Sequence, residues 1–146
     1  MPERETVERA REDAGEGKSP STQAGEFVRE EMHHIREGKH GAASTKQAIA
    51  IGLSKARRAG VKLPATGSAS TQKKAEQDSR ASQSRRKPSP TRSRATSNAL
   101  KREPRSAASR SSLSRQAKSS AVSRGKRARS VAAKKAAQTR NTRRAA

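Results

Sequence analysis

The residues able to do chemistry in this chain are its cations. Lys and Arg occupy 35 of 146 positions against 13 Asp and Glu, a formal charge of +22. They gather in short groups: Arg85, Arg86 and Lys87; Arg92 and Arg94; Arg124, Lys126, Arg127 and Arg129; Lys134 and Lys135; Arg143 and Arg144. Cations recurring every few residues among Ser and Ala suit pairing with phosphate. Each pairing frees a condensed counterion, which gives affinity without sequence choice. These side chains are the expected nucleic-acid contacts.

Their distribution is uneven. Up to Pro64, 12 Lys/Arg stand against 10 Asp/Glu; from Ala65 onward the balance is 23 against 3. That asymmetry points to an ordered head and a polycationic tail. Phe27 is the only aromatic residue. Stacking platforms for single strands are therefore absent, and duplex DNA is favoured over RNA as the partner. A membrane surface is not expected, because the tail has no apolar face to anchor it.

Other chemistries are poorly supplied. Without Cys there is neither a disulfide framework nor a thiolate metal site. His33 and His34 are adjacent, so on a helix they diverge by about 100°. With His40 they read as solvated surface side chains, and no metal site is expected. Nothing resembles a nucleophile elbow or a phosphate-binding glycine loop, so neither an enzyme nor a cofactor is expected. No window approaches the roughly 18 apolar residues of a membrane span. Residues 1–18 have neither a secretory core nor a transit peptide's acid-poor character. The expected location is the cytoplasm, in association with the nucleoid.

Three segments must position these groups. Residues 1–18 are charged with mixed signs and read as a frayed helix. Residues 19–64 read as a helical hairpin. Ser19 and Pro20 supply an N-cap and a first helical position. Ala24, Phe27, Val28, Met32 and Ile35 form one apolar stripe, and Gly38 ends the helix. A second helix begins at the capping box Ser44–Gln47 and stops at Gly60, with Pro64 beyond. Ala48, Gly52 and Ala56 recur every four residues, which lets the first helix approach closely. Ile51 falls outside this face, as either an exposed residue or part of a second contact surface. Lys46, Lys55, Arg57 and Arg58 give this helix a basic outer surface for secondary phosphate contacts.

Residues 65–146 hold few large aliphatics, and Pro88, Pro90 and Pro104 interrupt the first half. Too little apolar surface is present to offset the entropy of ordering. The segment reads as disordered in solution, with Val122 to Ala137 able to turn helical once its charge is neutralised. The expected fold is therefore mostly disordered: a small all-α helical hairpin over about 20–60, followed by a disordered basic tail.

Two stretches carry resemblances. "KQAIAIGLSKA", Lys46 to Ala56, lies within a region of about residues 20–64 that resembles a small bacterial and phage domain family of unknown function. The family implies no activity. The Ser/Ala/Lys/Arg tail resembles bacterial histone H1-like basic tails, although it is richer in Arg and Ser. The expected function is non-enzymatic, histone-like, largely sequence-independent DNA binding, with compaction by a tail long enough to bridge duplexes. The alternatives are an adaptor whose head docks a protein partner or forms a homo-oligomer, and an RNA-binding accessory protein.

Overall fold

The computed structural model describes residues 2–84 and 89–145. They form two units, Met1–Ser109 and Arg110–Ala146, and the regular elements among the described residues are all helical.

The first unit is built on two helices, α2 (Pro20–Glu37) and α3 (Thr45–Arg58). The Ser19 hydroxyl accepts the Thr22 amide, Pro20 sits in the first turn, and Gly38 closes α2 in the left-handed conformation. At α3 the Ser44 hydroxyl accepts the Gln47 amide at 3.1 Å. The Gln47 side chain reaches back to the Ala43 amide, one residue before the cap. Ala48, Gly52 and Ala56 are buried against α2. A Cβ placed on Gly52 would lie only 2.7 Å from Val28 Cα, so the bare glycine sets how closely the helices approach.

A third helix, α1 (Arg4–Gly15), packs on α2. The expectation of a frayed, solvated N-terminal helix is corrected here. Thr6 and Ala10 are buried, and Val7 packs with Leu53, Val61 and Leu63 around Ala10, Ala24, Phe27 and Ala56. Spacings of three and four place these few small groups on one helix face. Polar ties reinforce it: Arg9 Nε donates to Glu26 at 2.8 Å, and the Glu3 amide donates to Glu30 at 3.0 Å.

The larger correction concerns the expectation that the chain is mostly disordered beyond the hairpin. Helices α4 (Ala69–Gln83) and α5 (Pro90–Arg102), a 3-10 turn at Arg105–Ala108, and α6 (Arg110–Ala145) occupy most of that segment. Scarce aliphatics argue against a large core, but they do not argue against helix. Ala, Lys and Arg are among the best helix formers, and serine serves at the caps. Ser68, for instance, accepts the Thr71 amide at the start of α4. Pro90 sits in the first turn of α5, where its missing N–H is no loss. Pro104 immediately precedes the 3-10 turn. Pro88 lies outside the described residues.

Small groups attach these later elements to the first two helices. Ala75 and Asp78 of α4 are buried, with Asp78 receiving the Ser54 hydroxyl at 2.6 Å and Arg58 Nε at 3.0 Å. Ile51 lies one turn before Ser54 on this side of α3 and is half-buried. Ala107 and Ala108 of the 3-10 turn are buried, and it packs on both α2 and α3. Their carbonyls accept from the Thr45 hydroxyl at 2.7 Å and from Arg36 Nε at 3.0 Å. The Gly41 and Ala42 amides donate to the carbonyls of Leu100 and Pro104.

The second unit consists of α6, two helical stretches that meet at a non-helical Gly125 (φ 72°, ψ 165°). None of its described residues is buried. No described helix is long and apolar enough to cross a membrane.

Candidate nucleic-acid interface

Residues 110–146 contain twelve Lys/Arg and no Asp or Glu. With no carboxylate in the segment, its cations cannot neutralise one another's field locally. Arg124, Lys126, Arg127, Arg129, Lys134, Lys135 and Arg144 are all exposed on α6. Arg143 also falls on α6, its side chain outside the described set. At 3.6 residues per turn these positions spread around the helix instead of forming one stripe. Their local bonds are weak: Arg124 Nε and Arg129 Nε each reach a carbonyl one turn back at 3.4 Å.

Sequence reasoning passed over four further cations here. Arg110, Arg115, Lys118 and Arg140 are exposed on the same helix. The available signal was the run without acid: no carboxylate side chain follows Glu103. Counting acids would have found these residues where looking for clusters of bases did not. Arg92 and Arg94 are exposed on α5, in the other unit. Arg85, Arg86 and Lys87 lie outside the described residues.

The four cations assigned to α3 are divided. Lys46 is exposed in the first turn. Lys55 turns inward, its ammonium 2.7 Å from Glu31 and 3.1 Å from Glu30. Burial lowers its proton affinity, but the two carboxylates outweigh burial and hold it above the ordinary lysine range. Arg57 is half-buried and donates to the Pro64 carbonyl at 3.3 Å. Arg58 is committed to Asp78, with Nη2 at 2.9 Å. Burial pushes the Asp78 carboxyl up, yet Ser54, Arg58 and Lys74 together hold it below the ordinary carboxylate range. Among these four, Lys46 and Arg58 are exposed, while Lys55 and Arg58 are paired with acids.

The histidines are also placed differently from expectation. His33 is exposed, but the side chains of His34 and His40 are only 12% and 17% exposed and face carboxylates.

The two units thus define an all-helical protein: a bundle that carries all the acidic side chains, and an acid-free cationic helix. Residues 17–66 match a family of unknown function (DUF6496). The match takes in α2, α3 and their flanking turns, the region of the "KQAIAIGLSKA" run, and ends before α4. No curated protein and no solved structure matches the chain.

Proposed function

We propose that the protein binds nucleic acid without catalysis, in a histone-like manner, through the phosphates of duplex DNA and with little regard to sequence. The observation that carries this reading is the acid-free α6, whose described cations are all exposed. A polycation with no internal counter-charge holds an anionic atmosphere in solution. Duplex phosphates, at one charge per about 1.7 Å of axis, replace it with a gain in counterion entropy. Exposed helix without an aromatic side chain suits backbone contact better than base stacking. Lys46, Arg92 and Arg94 supplement it from the first unit.

The helical state changes the expected consequence. An extended chain covers about 3.3 Å per residue, a helix about 1.5 Å. A helical α6 therefore has less than half the maximum span of an equal segment drawn out to full extension, which favours contact along one duplex over bridging between two.

The test is fluorescence anisotropy of full-length protein with two unrelated duplexes across a salt series. With about six phosphates engaged, the log–log slope is about −5 on both duplexes. Changing Arg124, Lys126, Arg127 and Arg129 to Gln makes the slope shallower by about 0.9 for each phosphate no longer neutralised. These side chains are exposed, so the fold is unaffected. An unchanged slope in that variant overturns the reading. Stronger competition by structured RNA than by duplex DNA replaces the partner.

A further inference from the structure

Glu31, His34 and His40 each direct one ligand-type atom into a common space, and the three atoms lie within 4.8 Å of one another. Glu31 is fully buried on α2. His34 stands one turn later on the same helix, and His40 lies in the loop leading to α3. Chain positions three and nine residues beyond Glu31 are thus brought together by the turn at Gly38.

The tautomers are set by the partners of the other ring nitrogens. His40 Nδ1 is 3.1 Å from the Gly41 carbonyl, which can only accept, so Nδ1 carries the proton. That leaves Nε2 with a lone pair, 3.4 Å from Glu31 Oε1. His34 Nε2 is 2.8 Å from Glu3 Oε1, so it donates to that carboxylate, leaving Nδ1 3.9 Å from Glu30 Oε1. The remaining nitrogen of each ring therefore faces a buried carboxylate oxygen. Such an arrangement is completed by an electrophile between the partners, either a proton or a metal ion. Both Glu31 oxygens are buried and neither accepts a hydrogen bond; Oε2 is in ion-pair contact with Lys55 at 2.7 Å, and Oε1 faces His40 Nε2 at 3.4 Å. Lys55 anchors one oxygen, and the other is turned towards His40.

We infer that Glu31, His34 and His40 bind a divalent transition ion of the zinc class. Two neutral imidazoles and one carboxylate are a donor set of borderline softness, suited to such ions and unlike the all-oxygen sets that hold calcium or magnesium. Tetrahedral coordination at about 2.0–2.1 Å separates ligand atoms by roughly 3.3 Å, so the three must draw in by about an ångström or more. Side-chain rotation supplies that shift. Three protein ligands leave the fourth position to water. The surrounding groups have the form of an outer shell: Glu3 orients His34, the Gly41 carbonyl orients His40, and Lys55 holds the far oxygen of Glu31. His34 and Glu30 also line an open cleft of about 230 Å³. The bound ion clamps the loop bearing His40 onto α2. This inference is independent of DNA binding.

The experiment is titration of full-length, tag-free protein with Co²⁺, followed by visible absorption and then displacement by Zn²⁺. One equivalent binds with the intense bands of a tetrahedral site, and the unfolding temperature rises, since the ion binds the folded state alone. His40→Ala abolishes the bands, while His33→Ala, one residue from His34 but exposed, retains them. Glu3→Gln, at a half-exposed outer-shell carboxylate, weakens binding about 10- to 100-fold without removing a ligand. Circular dichroism confirms folding of each variant; if His40→Ala fails to fold, Glu3→Gln decides. Absence of saturable uptake overturns the proposal. So does uptake that survives His40→Ala, or that is lost equally in His33→Ala, which marks adventitious surface binding. Histidine NMR titration unaltered by Zn²⁺ shows that protons alone bridge the facing groups, and overturns it as well.

Discussion

Lys55 Nζ lies 2.7 Å from Glu31 Oε2 and 3.1 Å from Glu30 Oε1, so a single ammonium ties two consecutive buried carboxylates of α2 to α3. The bundle has few large apolar side chains in its interior; Phe27 and Ile35 are the bulkiest that are fully buried. Buried charge therefore determines much of how its helices are held in register.

Lys55→Met leaves both carboxylates buried without that cation. Removing one partner of a buried pair destabilises by about 3–5 kcal/mol, which is large against the stability of a small domain. Urea unfolding at neutral pH measures it. The double variant Lys55→Met/Glu31→Met recovers a substantial part, because it removes one of the stranded charges. Equal midpoints for wild type and Lys55→Met are incompatible with this account.

Acid weakens the bundle through two buried carboxylates, Glu30 and Asp78. Burial pushes the Glu30 carboxyl up, but the Glu3 amide, the Thr6 hydroxyl and Lys55 outweigh it and hold it below the ordinary range; Asp78 is lowered likewise. With folded values below unfolded ones, the unfolded chain takes up protons first as pH falls. Their contribution is complete above the ordinary carboxylate range of about 4 and is lost as pH descends through the lower folded values. Urea midpoints between pH 6 and acid conditions show the decline. Asp78→Asn flattens part of it.

Gly52→Val inserts a branched side chain where even a Cβ meets Val28 Cα at 2.7 Å. The helices must separate, at about 1–3 kcal/mol or more. Thermal unfolding reports the loss. A variant as stable as wild type shows that the close approach of α2 and α3 contributes nothing.

Gly125→Ala has the opposite sign. Gly125 adopts φ 72°, which disfavours a side chain, yet nothing lies within 4 Å of an added Cβ. Alanine favours the right-handed helix by about 1 kcal/mol over glycine. The two stretches of α6 therefore join, and far-UV circular dichroism shows more helix than wild type. A fall in helicity contradicts the bend described for α6.

Much of the local structure was readable in the residues. Ser19–Pro20 and Ser44–Gln47 identify where α2 and α3 begin, because capping chemistry acts within four residues. Gly38 marks an end for the same reason. The spacing of Ala48, Gly52 and Ala56 reveals the close-packed face. The later helices escape a reading based on hydropathy, because scarce aliphatics do not amount to lack of order. Ala75, Asp78, Ala107 and Ala108 attach their elements with methyl groups and hydrogen bonds, and hydropathy gives such residues almost no weight.

The fates of individual charges were not readable. Lys46 and Lys55 are the same residue type on one helix, yet one faces solvent and the other two buried acids. His33 and His34 are neighbours, yet only His34 meets a carboxylate on both sides of its ring. The sequence by itself determined the polycationic end, because net charge and the absence of acids belong to composition. It also determined the helix caps, which depend on near neighbours. Only the tertiary structure decided which charges are neutralised and which remain for a partner. That depends on distances between residues dozens of positions apart, such as Glu30 and Lys55, and such distances exist only once the helices have packed.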